Sequence, residues 1–329
     1  MPSGESNRLN FYFFPSPYGT DWSSPGRLAL SALKNRFSLL PRPLHPLGHV
    51  NIEGVNSAGE RQFLTGMVTE NTSDQLHLIL RKHYGLGIFF HNFPGLLEHP
   101  DEVEAQFEKR FRTDKISVLS LKVSDSVLKR ACNYLSAYVD ELGYHSYGLH
   151  NRPLHLEGAG CSAFAASFLE ITGLDHTEFR QNWSHKIRIH NDHLGGGHAL
   201  DGHKKVPFLK LIRQARRWAM ETEPHRELSF WSPDHMHQWL VKTWDRVHSG
   251  DTVFSDRAQR AFQIQKARAL EFDFSDVTAL PFAGTASDDE IAFHAKPTGP
   301  HLENAMKVRE NLKKALTSHA GRKVSHLFP

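Results

Sequence analysis

The chain has 329 residues, 39% of them hydrophobic and 23% charged, and such values are typical of a globular protein. Its 39 Lys and Arg and 36 Asp and Glu leave a formal net charge of +3. That is too small for nucleic acid or an anionic membrane to be predicted as the main partner. No run approaches the roughly 18 to 20 apolar residues that a transmembrane segment needs. The two cysteines, Cys132 and Cys161, exclude a disulfide scaffold.

The start of the sequence predicts no secretion signal. Residues 1–19 lack a basic segment followed by an apolar one. If a signal had been removed beforehand, the periplasm would remain as an alternative to the cytoplasm, so the compartment stays open. The sequence predicts no oligomeric state.

Three segments follow one another, and the middle one has the clearest pattern. Residues 1–46 are rich in Pro, Ser and aromatic side chains and are interpreted as an ordered but irregular lead-in. Residues 47–180 are the predicted core. They begin with two short β-type runs around a turn at 56–59, which predicts a hairpin.

A strand and two helices complete the predicted core. Residues 115–123 are rich in β-branched side chains and partly alternating, which predicts a strand. Ser124 then suits the N-cap of an amphipathic helix. After a loop rich in Gly, Pro and Asn, a second helix should begin at Cys161 and end at Gly173.

The remaining segment, 181–329, is predicted to be a mostly helical or irregular C-terminal region. A glycine-rich loop is expected at 190–203, because it contains three consecutive glycines. Helices are expected at the ranges 206–221, 233–247 and 301–319.

Cys161 is a candidate nucleophile because it opens a predicted helix. Backbone N–H groups and the positive end of the helix dipole stabilise a thiolate there and can hold the oxyanion that forms on a carbonyl substrate. Gly158, Ala159 and Gly160 precede it and let a substrate approach closely. The alternative is that Cys161 is a small core residue on an apolar helix face. Cys132 falls in the middle of a helix and is interpreted as structural.

A nucleophilic cysteine needs a base, and His49 is the candidate among 23 histidines. It opens the β-type run 49–53 and follows Gly48, so a strand would hold it rigidly. The alternative is a half-exposed strand histidine without a catalytic role.

These two segments together resemble NlpC/P60-type papain-like cysteine peptidases. In that family the nucleophile follows a Tyr-Gly loop in an Asp-Cys-Ser-Gly-Phe pattern, which Tyr147-Gly148 and the run 160–164 (GCSAF) resemble. The run 49–53 (HVNIE) resembles the His-Val-Gly-Ile-Tyr strand of the family. Here the histidine precedes the cysteine, which is the order of the circularly permuted branch with YiiX-like and lecithin:retinol acyltransferase-like proteins. The sequence departs from the pattern at Gly160 and Ala163.

The resemblance implies an α+β, papain-like core with an antiparallel sheet and packed helices. It implies a thiol hydrolase or acyltransferase that forms an acyl-enzyme on Cys161, with His49 as base. Its substrate would be a small peptide, amide or acyl ester, such as cell-wall peptide or a lipid-like acyl compound, and no cofactor is needed.

The third catalytic residue of such enzymes lies on the strand after the histidine. Counting along that strand reaches Thr65, which is the candidate, with Gln62 on the other face. Alternation also places Asn51 and Glu53 on the His49 face of its own strand.

Two alternatives remain from other functional classes. The first is a metal-dependent hydrolase or metal-binding protein that uses imidazole and carboxylate ligands of the loop 190–203, although its spacing matches no zinc signature. Its candidate ligands are His190, Asp192, His193, His198, Asp201 and His203. The second is a catalytically inactive papain-like binding module.

Overall fold

The structure is a computed structural model that describes residues 6–37, 45–111, 116–174, 177–197, 204–250, 259–264 and 266–279. These ranges hold 11 strands and eight α-helices, a mixed architecture that agrees with the predicted α+β class. The predicted helix at 301–319 lies outside the described residues.

The strands are β1 (Asn7–Phe14), β2 (His49–Val55), β3 (Arg61–Thr65), β4 (Met67–Thr69), β5 (Phe93–Leu97), β6 (Ser117–Val123), β7 (Ser146–Tyr147), β8 (Ser184–His190), β9 (His225–Trp231), β10 (Gln259–Ile264) and β11 (Ala267–Phe274). The helices are α1 (Pro25–Arg36), α2 (Thr72–Leu80), α3 (Pro100–Phe111), α4 (Asp125–Asp140), α5 (Cys161–Thr172), α6 (Thr177–Trp183), α7 (Phe208–Gln214) and α8 (Pro233–His248).

Six strands form the main sheet in the order β10-β11-β6-β1-β2-β3. All neighbours are antiparallel except β11 and β6, which are parallel. The strands β4, β5 and β7 form a second small sheet, and β8 pairs with β9 in a third. The main sheet carries His49 at the start of β2, where β2 pairs with the end of β1.

The interpretation of residues 1–46 as an irregular lead-in is wrong, because β1 is an inner strand of the main sheet. Its two edges pair with β2 and β6. Leu9, Phe11 and Phe13 alternate along it and are completely buried in the core. The flanking Pro-rich stretches obscured this short alternating run.

The prediction for the C-terminal segment is also wrong in part. Four strands, β8 to β11, lie beyond residue 180, and β11 extends the main sheet beside β6. Helix α8 is confirmed, whereas α7 lies in the first half of the predicted helix at 206–221 and ends at Gln214. All three predicted segments therefore contribute to one sheet and one hydrophobic core.

The predicted elements of the middle segment are confirmed. The hairpin is β2–β3, with a turn closed by hydrogen bonds between Asn56 and both Gly59 and Glu60. The Ser124 side chain caps α4 by accepting from the Val127 N–H. Helix α5 begins at Cys161 and is followed by Gly173 in the left-handed conformation, at a φ of 77° that favours glycine.

Two hydrophobic clusters contain most of the buried apolar side chains of the described residues. The first, which we call the main core, packs α4, α5, α6 and α8 against the main sheet and includes Phe11, Phe164 and Trp183. The second, which we call the side core, combines apolar residues of α1, α7, β8 and β9 with the short 3-10 helix Leu86–Phe90. None of the helices in the described ranges is long and apolar enough to cross a bilayer.

The carboxylate of Asp234, in the first turn of α8, holds the segment after β1. Asp234 is buried and accepts hydrogen bonds from the backbone N–H and hydroxyl groups of both Ser16 and Thr20, at 2.5 to 2.8 Å. A buried carboxylate with four donors is fully paired, and its removal would leave those donors without an acceptor.

We therefore expect Asp234→Ala to lower the free energy of unfolding by about 3 to 5 kcal/mol, as measured by chemical denaturation. Asp245→Ala is the matched control, because Asp245 lies on the same helix but is exposed. The control should change the stability by less than about 0.5 kcal/mol. Equal losses in the two variants would contradict this role for Asp234.

Candidate active site

The Cys161 side chain lies at the first position of α5, where the predicted nucleophile was expected. Gly160 is extended and provides the N-cap, so the chain turns into the helix immediately before the thiol. The sulfur is buried and accepts hydrogen bonds from the Val50 backbone N–H and from the Tyr147 hydroxyl. Donors that converge on sulfur stabilise the thiolate over the thiol.

The imidazole of His49 also hydrogen-bonds the Cys161 sulfur. The structure thus brings together two residues that are far apart in sequence. The Nε2 atom of His49 lies 2.6 Å from Glu98 Oε2. Because Nε2 is engaged there, Nδ1 is the ring nitrogen left to face the sulfur, and a carboxylate on the far nitrogen fixes the orientation of the ring.

Glu98 follows β5 and is buried in a complete set of hydrogen bonds. Its Oε2 accepts from His49 and from Asn51 Nδ2 at 2.7 Å, and its Oε1 accepts from Gln106 Nε2 at 2.7 Å. Its own backbone N–H donates to the carbonyl of Gly66 at 2.9 Å. The carboxylate is therefore held from β2 and from α3, and the backbone of Glu98 is held by the residue before β4.

The hydroxyl of Thr65, the predicted third residue, is directed to another partner than the imidazole. Its hydroxyl donates to the backbone carbonyl of Glu98 at 3.0 Å, so it supports the residue that holds His49. The carboxylate takes that position because β5 brings Glu98 against β2 beyond the end of β3. Of the neighbouring candidates, Asn51 lies beside His49 as alternation predicted, whereas Glu53 pairs with Arg61 and Tyr12 instead.

The protonation equilibria of these three groups are tightly linked. Burial alone would lower the pKa of His49, but the charges of Glu98 and Cys161 raise it to about 10. Burial raises the pKa of Glu98, but His49 opposes this and brings it to about 2. Burial likewise raises the pKa of Cys161, yet His49 and the hydrogen-bond donors lower it below its usual value. The charge of His49 therefore favours the Cys161 thiolate, and the charges of Cys161 and Glu98 favour the His49 imidazolium.

A second histidine, His45, stacks on His49. Their ring centroids lie 3.9 Å apart, and His45 Nε2 lies 3.1 Å from Gln106 Oε1. Burial and the neighbouring His49 charge lower the pKa of His45 to about 3. His45 is therefore neutral over the range in which His49 is charged.

The set His45, His49 and Glu98 has the composition of a metal site, with ligand atoms within 4.8 Å of one another. However, His49 Nε2 and Glu98 Oε2 lie 2.6 Å apart. Two ligands of a tetrahedral zinc at about 2.0 Å would lie roughly 3.3 Å apart. These atoms are therefore spaced as a hydrogen-bonded pair.

The histidine loop that was the alternative metal site is only partly described. The ring centroids of His190 and His193 lie 5.9 Å apart. The Nδ1 atom of His190 lies 3.5 Å from a carboxylate oxygen of Asp192. His198, Asp201 and His203 lie outside the described residues. Within the described ranges, the group of possible metal ligands found around His45 includes no residue of this loop.

A cavity of about 560 Å³ opens beside the Cys161 sulfur. One wall contains Cys161, Glu98 and Tyr147. Much of the remaining lining is apolar and belongs to the side core or packs against it, including Trp22, Leu86, Phe89, Leu211 and Phe230. The thiol therefore faces a space that can hold a largely apolar group.

Comparison with known proteins adds no assignment: no family model matches the chain, and neither do curated proteins or solved structures. The chemical interpretation rests on the geometry around Cys161.

Cys132, interpreted as structural, lies within α4 and is half-buried, and burial raises the pKa of its thiol.

We expect iodoacetamide to alkylate Cys161 faster than Cys132 at neutral pH, because only Cys161 has a lowered pKa. The rate at Cys161 should fall as pH falls through that pKa, when the thiolate is protonated. His49→Ala should move the profile upward by about one pH unit or more. Peptide mass spectrometry distinguishes the two sites, and an unshifted profile in both proteins would contradict the ion pair.

Gly66 provides a second test, because a side chain there has no room. A Cβ atom would lie 2.3 Å from Asn51 Nδ2 and 2.5 Å from Glu98 Oε2. We expect Gly66→Ala to displace the carboxylate and to raise the Cys161 pKa in the same alkylation assay. Gly160→Ala is the control, since its Cβ would meet only ordinary contacts, with Leu149 at 3.5 Å and the carbonyl of Gly148 at 3.7 Å. Identical pH profiles for Gly66→Ala and the native protein would show that the position of Glu98 does not determine the pKa of the Cys161 thiol.

Proposed function

We propose that the protein is a thiol hydrolase or acyltransferase that acts through an acyl-enzyme on Cys161. The observation that carries this proposal is the hydrogen-bonded series from Cys161 through His49 to Glu98 beside an apolar cavity. A nucleophile, a base and a group that orients the base are the parts that such chemistry requires. In this proposal Glu98 takes the role expected of Thr65.

The proposed fold relationship is a papain-like core with the permuted NlpC/P60 order. In support, the base lies on a strand of an antiparallel sheet region, and the nucleophile heads a buried helix that packs against that strand. The histidine precedes the cysteine, as in the permuted branch. The departure is Glu98, which directly follows β5 and does not lie on the strand that comes after His49.

In the proposed acylation step, the Cys161 thiolate attacks the carbonyl carbon and a carbon–sulfur bond forms. The carbonyl oxygen gains the negative charge and accepts hydrogen bonds from the Cys161 backbone N–H and the Tyr147 hydroxyl. Burial and the nearby Cys161 raise the pKa of Tyr147 well above its usual value, so its hydroxyl keeps the proton to donate. His49 then gives its Nδ1 proton to the leaving amine or alcohol as the bond to that group breaks.

Deacylation reverses these roles. Neutral His49 removes a proton from water or from an acceptor alcohol or amine, whose oxygen or nitrogen attacks the thioester carbon. The carbon–sulfur bond breaks, and the Cys161 thiolate and the His49 imidazolium are restored. Glu98 remains ionised throughout and keeps the imidazole in place.

The cavity favours a substrate whose acyl group is apolar. Much of its lining consists of aromatic and aliphatic side chains, and burying apolar surface against them is favourable. Of the two substrate classes that the sequence left open, this supports a lipid-like acyl ester or amide over a polar peptide.

We expect hydrolysis of nitrophenyl esters to become faster as the acyl chain is lengthened to fill the cavity. Cys161→Ser and His49→Ala should lower kcat/KM by at least about a thousandfold, and Glu98→Gln by at least about tenfold. Cys132→Ser is the matched control and should leave the rate unchanged. A covalent acyl adduct on Cys161 should be detected by mass spectrometry.

Other outcomes would contradict the proposal. Full activity of Cys161→Ser together with its loss on chelation would favour a metal enzyme. An intact fold with no turnover and no adduct on Cys161 with any ester, amide or peptide would favour an inactive binding module.

A further inference from the structure

The positive charge of this protein is concentrated on two neighbouring helices. The segments 25–37 and 204–217, which contain α1 and α7, hold nine Lys and Arg residues and no Asp or Glu. Because the net charge of the whole chain is +3, the rest carries a formal charge of 3 − 9 = −6. The modest total charge thus conceals a strongly basic region on an otherwise acidic chain.

The two helices pack directly against each other. The Gly26 N–H donates to the carbonyl of Ala215 at 2.9 Å, and a Cβ at Gly26 would lie 3.0 Å from the carbonyl of Leu211. Glycine therefore allows the close approach of the two helices at this contact. The basic segments form one surface, which we call the α1–α7 face.

Some of the Lys and Arg side chains of the α1–α7 face form ion pairs with acidic residues, and others do not. Arg27, Lys204 and Arg217 pair with acidic residues outside the two segments. The other six basic residues form no ion pair with an acidic group in the part of the chain that the structure describes. These six are Lys34, Arg36, Lys205, Lys210, Arg213 and Arg216. The α1–α7 face thus keeps a large positive potential.

Exposed apolar side chains lie among these charges. In α1 and the residue after it, the exposed residues are Arg27, Leu30, Lys34 and Phe37, whose spacing of three and four places them on one helical face. Leu30 and Phe37 are 49% and 66% exposed. On α7, Leu209 is 61% exposed and lies one turn from exposed Arg213.

The inner sides of the same helices line the cavity beside Cys161. Leu28, Ala29 and Ala32 of α1 face it, as do Phe208 and Leu211 of α7. Only one layer of helices therefore separates the α1–α7 face from a space suited to apolar groups.

We infer that the α1–α7 face binds the surface of an anionic lipid bilayer. Lysine and arginine side chains attract anionic headgroups, and apolar side chains beside them enter the boundary between headgroups and acyl chains. Exposed Leu30, Phe37 and Leu209 distinguish this occupant from nucleic acid, which offers phosphates but no apolar layer. The inference does not depend on the chemistry proposed for Cys161.

Flotation of the full chain with lipid vesicles tests this inference. The protein should bind vesicles that contain about 30 mol% phosphatidylglycerol and should not bind pure phosphatidylcholine, and binding should weaken at about 0.5 M salt. The triple variant Lys34→Glu, Arg213→Glu, Arg216→Glu should lower the partition coefficient by at least about tenfold. Lys129→Glu, Lys242→Glu, Arg246→Glu is the matched control, with the same charge change on α4 and α8, and should bind almost as the native protein does.

A second pair of variants separates lipid from other polyanions. Leu30→Asn with Leu209→Asn keeps every charge and should weaken vesicle binding by about fivefold or more, because less apolar surface enters the bilayer. Cys161→Ser should bind vesicles normally, which keeps this inference distinguishable from the catalytic proposal.

The inference would be overturned if vesicles did not bind, or if both charge variants lost binding equally. It would also be overturned if duplex DNA bound while vesicles did not. Thermal unfolding should confirm that each variant is folded, and an unfolded triple variant would be replaced by Lys34→Gln, Arg213→Gln, Arg216→Gln.

Discussion

The buried carboxylate of Glu98 is the group on which the rest of the site depends. It holds the imidazole of His49, and its own position is fixed by Asn51, Gln106 and the backbone of Gly66. Removing one member of a buried charged pair typically costs about 3 to 5 kcal/mol, because its partner is left without compensation. Here the same interaction also keeps His49 protonated, and the charge of His49 lowers the pKa of the Cys161 thiol. Structural and chemical roles are thus combined in one side chain.

The fold supplies this arrangement from distant parts of the chain. Helix α5 packs against β2, so the nucleophile and the base meet at the edge of the main core. Residues of the side core also line the cavity, and two of the helices that contribute to this core, α1 and α7, carry the α1–α7 face. If both proposals hold, the protein takes an apolar acyl group from a bilayer surface and presents its carbonyl to Cys161. The basic and apolar outer face and the apolar cavity are then two consequences of the same pair of helices.

The sequence was sufficient for those features that local patterns determine. Cys161 at the head of its helix and His49 at the start of a strand follow from periodicity and from turn and cap residues. Glu98 was missed because the strand before it contains Pro and Gly and does not alternate in the usual way, and because its burial depends on contacts with residues distant in sequence. Counting along the adjacent strand led to Thr65 instead, which supports Glu98 through its backbone carbonyl. The β1 strand was missed for a similar reason, since its pairing with β2 and β6 is a property of the whole sheet.

The protonation state of His49 can be measured in solution, and it reports on the ion pair with Cys161. Nitrogen-15 NMR of histidine-labelled protein reports whether one or both ring nitrogens carry a proton, and a His49→Gln spectrum identifies the His49 signals by their absence. We expect both Nδ1 and Nε2 to remain protonated through neutral pH, with the proton lost only as pH rises through about 10. In Glu98→Gln the loss should occur at a lower pH, because the opposing charge is gone. A His49 ring that is neutral at pH 7 in the native protein would contradict the ion pair between the Cys161 thiolate and the His49 imidazolium.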